Sequence, residues 1–308
     1  MNIRVRQIEG FLAIADTLSF SRAAEKIGMT QPAFSQMLRD LENTLGLKLI
    51  DRTTRRVNLT LSAQQLLAQM RQAISDLNGI RRNAQALARL EQGQLAIGVL
   101  PSLAGGVFVE SLAQFSDLYP GVAIQVRENH NAHIIGQLTQ HEVELAICTY
   151  NASAPTLSFE ELFIDELVCV MREHHALARR KRIEWRRFST QPVVLVSASS
   201  IINEIVRANL REFAEGKSAE YETLNMTTAL NMARANLGVT LIPRVALPEL
   251  NMKGLTYRPI GQPRPTRQVG IYRRAGQTLS PAAEKFRELL IERLQRPGHT
   301  GAHWPSSD

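Results

Sequence analysis

Residues 19–61, SFSRAAEKIGMTQPAFSQMLRDLENTLGLKLIDRTTRRVNLTL, constrain the fold more than any other stretch. Ser19 has the side chain of a helix N-cap, and Ala23, Ala24 and Ile27 follow at helical spacing. Gly28 stands where that helix should stop, because glycine takes the left-handed conformation of a helix end without steric cost. Thr30 opens a second helix with Pro32 in its first turn, where a missing N–H is harmless. Phe34, Met37, Leu38, Leu41 and Leu45 give this helix one apolar face, and Ile8, Phe11, Leu12 and Ala15 mark an earlier helix over residues 4–17. Short helices joined by a tight turn, with alanines that permit close approach, predict a helix-turn-helix unit.

The other face of the second helix carries Gln31, Ala33, Ser35, Gln36 and Arg39, flanked by Ser21, Arg22, Thr30 and Pro32. Amides and short polar side chains suit a DNA major groove. Glutamine pairs with adenine in bidentate fashion, alanine touches a thymine methyl, and free helical N–H groups meet phosphate. On these residues alone, a solvated helix face is an equal explanation. The next segment tips the balance. LKLIDRTTRRVNLTL alternates apolar and polar residues and sets Arg52, Arg55 and Arg56 around a Thr-Thr turn, a two-stranded wing able to reach phosphates or the minor groove. Residues 1–60 hold nine Lys/Arg against six Asp/Glu, in a chain of formal net charge +7. That balance favours an anionic partner.

As one gapless block, Ser19-Phe20, Ala23-Ala24, Gln31-Pro32-Ala33, Ser35, Leu41-Glu42, Leu45-Gly46, Leu49, Arg52 and Leu59-Thr60 resemble the N-terminal signature of LysR-type transcriptional regulators. Two positions depart from it: Ile50, where the family often has Phe, and Ser62-Ala63-Gln64, where it has an acid-Ala-Gly turn. Neither touches the reading residues. The resemblance implies a DNA-binding regulator and not an enzyme. Gln31, Ser35 and Gln36 would read bases, while Arg52, Arg55 and Arg56 would hold phosphates.

Residues 62–91 contain no proline. Met70, Leu77 and Ala84 recur every seven residues, and so do Leu66, Ala73, Ile80 and Leu87. This heptad pattern predicts a dimerising helix with Leu66, Met70, Leu77, Ile80 and Leu87 on its seam, weakened by alanines and Gly79. Pairing also answers a functional need, since a two-fold dimer doubles the contacts of one short reading helix. The resemblance implies homodimers that pair into a homotetramer.

After Gln92-Gly93 the rhythm changes. LAIGVL, VAIQVRE, ELAICTY, ELVCVM, PVVLVSAS, GVTLIP, LTYRPI and RQVGIYRR read as strands, alternating with helices at residues 201–215, 226–236 and 281–294 among others. Such alternation predicts a doubly wound α/β sheet. Crossovers at residues 161–167 and around Pro263 and Pro265 divide it into two lobes. HHALA at residues 174–178 and NLGVTLIP at 236–243 extend the resemblance to the family's sensor, which is similar to periplasmic binding proteins. The expected architecture is therefore multi-domain: an all-α/winged helix-turn-helix domain over residues 1–61, a linker helix over 62–91, and a two-lobed α/β periplasmic-binding-protein-like sensor over 92–294. The first lobe takes residues 92–162 and 266–294, the second 163–265, and a disordered tail follows at 295–308.

Ligands of open α/β sheets sit at strand carboxyl ends against helix N-termini. Ser102, Thr149, Ser199, Ser200 and Thr227 occupy such places, with Ser197, Thr223 and Thr228 nearby. Each taken singly could be a plain helix cap. The resemblance implies that together they line an inter-lobe cleft for a small, anionic effector.

Other features are set aside. His130, His133 and His141 lack the cysteines or carboxylates that complete a metal site. Residues 178–187, ARRKRIEWRR, read as a solvated loop and helix in preference to a second nucleic-acid surface. No Ser-His-Asp order, Walker loop or GxGxxG after a strand is present, so no catalytic residue, cofactor or metal is expected. Cys148 and Cys169 sit in apolar strands as core residues, and with no convincing secretory signal a cytoplasmic location is expected. The expected partners are double-stranded promoter DNA, a small-molecule effector, further copies of the chain, and RNA polymerase; no membrane is expected. The competing reading is a solute-binding protein or enzyme whose N-terminal unit is a protein-interaction module.

Overall fold

The computed structural model describes residues 3–53, 56–152, 154, 156–196, 200–211 and 220–296, and the side chains of residues 52, 53 and 56 are not described. The chain divides into two units, Met1–Ala88 and Arg89–Asp308.

The first unit opens with α1 (Val5–Thr17), α2 (Phe20–Lys26) and α3 (Gln31–Leu45). Ser19 caps α2 by accepting the Arg22 amide, and Gly28 and Gly46 take left-handed conformations (φ 66° and 69°) after α2 and α3. Thr30 occupies the N-cap of α3 without a side-chain capping bond. Phe11, Ile14, Ala23, Ala24, Phe34, Leu38 and Leu41 form a buried core between the three helices. The hairpin β1 (Ile50–Thr53) and β2 (Arg56–Leu59) follows, antiparallel, with Arg52 opposite Val57 and Thr53 opposite Arg56. Leu49 and Ile50 anchor it in the same core.

Thr60 then starts α4 (Leu61–Ala88): its hydroxyl accepts the Ala63 amide at 3.1 Å and donates to the Lys48 carbonyl at 2.8 Å. The departing residues Ser62, Ala63 and Gln64 lie in the first turn of this capped helix. Twenty-eight residues make a rod of about 42 Å.

The second unit is one mixed sheet with helices on its faces. In chain order it contains β3 (Gly93–Val99), α5 (Val107–Leu118), β4 (Val122–Glu128), α6 (Asn131–Thr139), β5 (Leu145–Thr149), β6 (Leu157–Arg172), α7 (Trp185–Phe188) and β7 (Val193–Val196). There follow α8 (Ile201–Leu210), β8 (Glu220–Thr223), α9 (Met226–Arg234), β9 (Val239–Pro243), β10 (Leu255–Pro259), β11 (Thr266–Arg274) and α10 (Pro281–Gln295). The strand order is β4-β3-β5-β11-β6-β9-β7-β8, with β10 also paired to β6.

Strand β6 joins the two lobes. Its first part, from Leu157 to Glu166, pairs antiparallel with β11, and its last part, from Leu167 to Arg172, pairs with β9 and β10. The change of partners at Glu166 and Leu167 falls within the crossover expected at residues 161–167, and the chain makes it inside a continuous strand of 16 residues. A strand can pass between lobes unbroken when each half finds its own hydrogen-bonding neighbours. One apolar core, with Phe108, Phe115, Ile134, Ile271 and Phe286, fills the first lobe, and two smaller ones cover the faces of the second. Cys148 in β5 and Cys169 in β6 are buried among them.

Candidate nucleic-acid interface and effector cleft

The first turns of α3 present an exposed polar edge. Gln31, Pro32, Ala33, Gln36 and Arg39 are exposed and Ser35 is half-buried, while Phe34 and Leu38 on the opposite face are buried. Ser21, Arg22 and Thr30 extend the exposed edge. Its side chains hold one another in place. The Ser21 hydroxyl donates to Gln31 Oε1 at 3.1 Å, Arg39 donates to Gln36 Oε1 at 2.8 Å, and Gln36 Nε2 donates to Asp40 Oδ1 at 2.8 Å. Arg22 Nη2 reaches the Thr17 carbonyl at 3.1 Å. Asp40, which the sequence reading did not single out, thus belongs to the Gln36 network.

The wing is tied to this edge from within. Glu42, buried on α3, accepts the amides of Leu49 and Ile50 and pairs with the Lys48 ammonium at 3.1 Å. Burial alone would raise this carboxyl, but the two amides and the ammonium together hold it below the usual glutamate value. At the tip, the backbones of Arg52 and Arg56 lie in β1 and β2, and Arg55 lies outside the described residues.

The seam residues of α4 fall into two groups. Leu66 and Met70 pack into the core of their own unit. Leu77, Ile80 and Leu87, further along, are 42%, 66% and 48% exposed.

In the second unit, a cavity of about 720 Å³ opens between the lobes. Ser102, Thr149, Ser200 and Thr227 line it, and Ser199 lies outside the described residues. The four play different parts. Ser200 caps α8, accepting the Asn203 amide and donating to the Val196 carbonyl at 2.9 Å. Thr227 is exposed in the first turn of α9, whose cap is Asn225. Thr149 ends β5 with its amide on Asn131 Oδ1 at 3.0 Å. Its side chain is buried, and among the described residues its hydroxyl has no hydrogen-bond partner.

Ser102 is held by a charged pair that the sequence reading missed. Arg267 Nη2 donates to Ser102 Oγ at 2.9 Å and bridges to Asp165 at 2.9 Å, and Asp165 Oδ1 also accepts the Val245 amide at 3.1 Å. Asp165 lies in β6 and Arg267 in β11, both buried. Burial pushes the Asp165 carboxyl up and the Arg267 guanidinium down, and each charge pulls the other back toward its ionised form. Arg244, also on the cavity wall, is bound to Glu166 at 3.2 Å. The N-termini of α5, α6, α8 and α9 also open on the cavity, since their cap residues Gly106, His130, Ser200 and Asn225 all line it, and each brings partial positive charge to a wall that also carries Glu110. Glu128 and Glu249 line its walls as well. A Cβ built on Gly105 of the first lobe would stand 2.7 Å from Cγ of Glu249 in the second, so the walls nearly touch there.

Among the described residues no helix is long and apolar enough to cross a membrane. Residues 5–64 match the family model for bacterial regulatory helix-turn-helix proteins of the lysR family, and residues 88–295 match the LysR substrate binding domain. The chain is 29% identical over 293 residues to a probable hydrogen peroxide-inducible genes activator of Streptomyces viridosporus, covering 94% of each chain. It is 26% identical over 291 residues to the uncharacterized HTH-type transcriptional regulator YbhD of Escherichia coli K12, covering 94% of this chain and 92% of that one. A full-length OxyR variant from Pseudomonas aeruginosa has the same fold, with a TM-score of 0.82 at 20% identity over 96% of this chain and 100% of that one. With a reading unit and a two-lobed sensor both matched, the chain belongs to the LysR family of DNA-binding transcriptional regulators.

Proposed function

We propose that the chain binds double-stranded promoter DNA as a homodimer or homotetramer, and that a small anionic effector in the inter-lobe cleft alters that binding or the engagement of RNA polymerase. Gln31, Ala33, Ser35 and Gln36 read base edges from the major groove. Ser21, Arg22, Thr30, Pro32 and Arg39 position the helix, and Arg52, Arg55 and Arg56 hold the backbone. Leu77, Ile80 and Leu87 pair the helices of two copies. The observation that carries the cleft assignment is the Thr149 hydroxyl, buried and without a partner among the described residues, on the wall of a cavity into which four helix N-termini open. A buried hydroxyl left unpaired is costly, and a ligand oxygen would satisfy it.

A peroxide response of the kind for which the Streptomyces relative is named would need a reactive thiolate if it used cysteine. Burial pushes Cys148 up to about 12, and Cys169 is raised further by the same cause. We therefore read the effector as a bound molecule and not as an oxidant of these thiols.

Thermal-shift screening of small mono- and dicarboxylates tests the cleft. Hits should bind Thr149→Val about five- to tenfold more weakly, the loss of roughly one hydrogen bond, with DNA affinity unchanged. Hits of equal affinity for the variant would remove Thr149 from the site. Stabilisation by cationic amines alone would overturn the anionic assignment.

A further inference from the structure

The greatest local concentration of positive charge lies outside the reading head. Residues 179–187 hold six cations, Arg179, Arg180, Lys181, Arg182, Arg186 and Arg187, against the single acid Glu184. That is an excess of five in nine residues, compared with three in residues 1–60 and seven in the whole chain. All six are exposed, and among the described residues none forms an ion pair. Elsewhere in the sensor, Arg207, Arg244, Arg267, Arg287, Arg293 and Arg296 each hold a carboxylate.

A solvated loop would need no scaffold, but this segment has one. Ile183, Trp185 and Phe188 are buried between the exposed cations. The Ile183 amide donates to the Pro259 carbonyl at 2.9 Å, and the Gly261 amide donates to the Ile183 carbonyl at 2.7 Å. Trp185 Nε1 donates to the Pro263 carbonyl at 2.8 Å, and Arg258 Nε donates to the Arg180 carbonyl at 2.8 Å. The backbone is fixed, and the cations project from it.

We propose that this platform on the second lobe is an auxiliary contact for the phosphate backbone of duplex DNA flanking the sequence that the reading head selects. Five of the six cations are arginine, whose planar fork matches phosphate oxygens in bidentate fashion. Like-charged side chains held together without counter-charges repel one another, and a polyanion relieves that repulsion while releasing its own counterions. The contact is independent of sequence and adds affinity through charge.

The proposal rests on the DNA-binding role and is tested with the full chain on two duplexes. One ends at the selected half-sites, and the other continues several helical turns beyond them on both sides. Binding of the unaltered chain to the short duplex reads the reading-head assignment separately. On the long duplex, R180Q/K181Q/R182Q should lower the salt dependence by about two to three counterion units and weaken binding about tenfold or more at physiological salt. On the short duplex the variant should match the unaltered chain, which also reports intact folding. R186Q/R187Q should repeat the pattern with a smaller slope change. Identical slopes for variants and unaltered chain on the long duplex would overturn the proposal. Retention on immobilised poly-glutamate that the variants lose, without any DNA difference, would likewise overturn it and assign the platform to an acidic protein surface.

Discussion

Glu42 and Leu49 are joined across the turn between the reading helix and the wing: Glu42 Oε1 accepts the Leu49 amide at 2.8 Å. The same oxygen accepts the Ile50 amide at 3.2 Å, so one buried carboxylate fixes the start of the hairpin to the helix. The geometry between the residues proposed to read bases on α3 and those proposed to hold phosphates on the wing depends on this link.

Replacing Glu42 by alanine leaves two amides unpaired and should cost about 2–3 kcal/mol of stability, measured by urea denaturation. The link is also pH-dependent. Because the Glu42 carboxyl is held below its ordinary value in the folded state, its contribution is fully present above the unfolded value and is lost as pH falls through the depressed folded one. Glu42→Gln keeps an acceptor for the amides without the charge, so it should flatten the acid limb of the stability curve. An unchanged acid limb would show that the charge does not matter.

The Asp165–Arg267 pair is buried where β6 passes between the lobes. Arg267→Met alone strands a buried carboxylate and should destabilise the sensor by about 3–5 kcal/mol. The double variant Asp165→Leu/Arg267→Met removes both charges and should recover most of that loss. Equal destabilisation of single and double variants in denaturant titrations would mean that packing, and not the stranded charge, sets the cost.

Along α4 the seam residues should respond differently. Ile80→Glu places a charge in the proposed paired surface of a residue that is exposed within one chain. It should lower the oligomeric state in sedimentation velocity while leaving the helix content of the first unit intact. Leu66→Glu, by contrast, disrupts the core of that unit and should lower its melting temperature. An Ile80 variant with unchanged oligomeric state would place the interface elsewhere.

Hydrogen peroxide should leave Cys148 and Cys169 unmodified in the folded chain, as read by intact-mass analysis, because burial keeps both thiols protonated. Rapid oxidation of either would reopen a redox role.

Much of this architecture was legible in the sequence because it is written in local signals. Ser19, Gly28, Pro32 and the apolar stripe from Phe34 to Leu45 announce the reading unit through caps and periodicity. The exposed strand β8 was missed because Glu220–Thr223, at the sheet edge, lacks the apolar run that marks a buried strand. The heptad pattern placed Leu66 and Met70 on the same seam as Leu77 and Ile80, since spacing reports which residues share a face but not what covers them. In the cleft, the hydroxyls of Ser102 and Thr149 follow from strand ends. Asp165 and Arg267, 102 residues apart in sequence, could be brought together only by the fold. The basic run at 179–187 was visible from the start, but only its buried anchors distinguish it from an ordinary solvated segment.

The most direct test of the central claim is selection of duplexes from a random pool by the full-length chain, repeated with Gln31→Ala. The reading-head assignment predicts enrichment of a two-fold related pair of half-sites. The variant should lose preference at the base pair that Gln31 contacts, by about 1–3 kcal/mol of discrimination, with its salt dependence unchanged. Failure to enrich any motif, or an identical motif for Gln31→Ala, Ser35→Ala and Gln36→Ala alike, would contradict it.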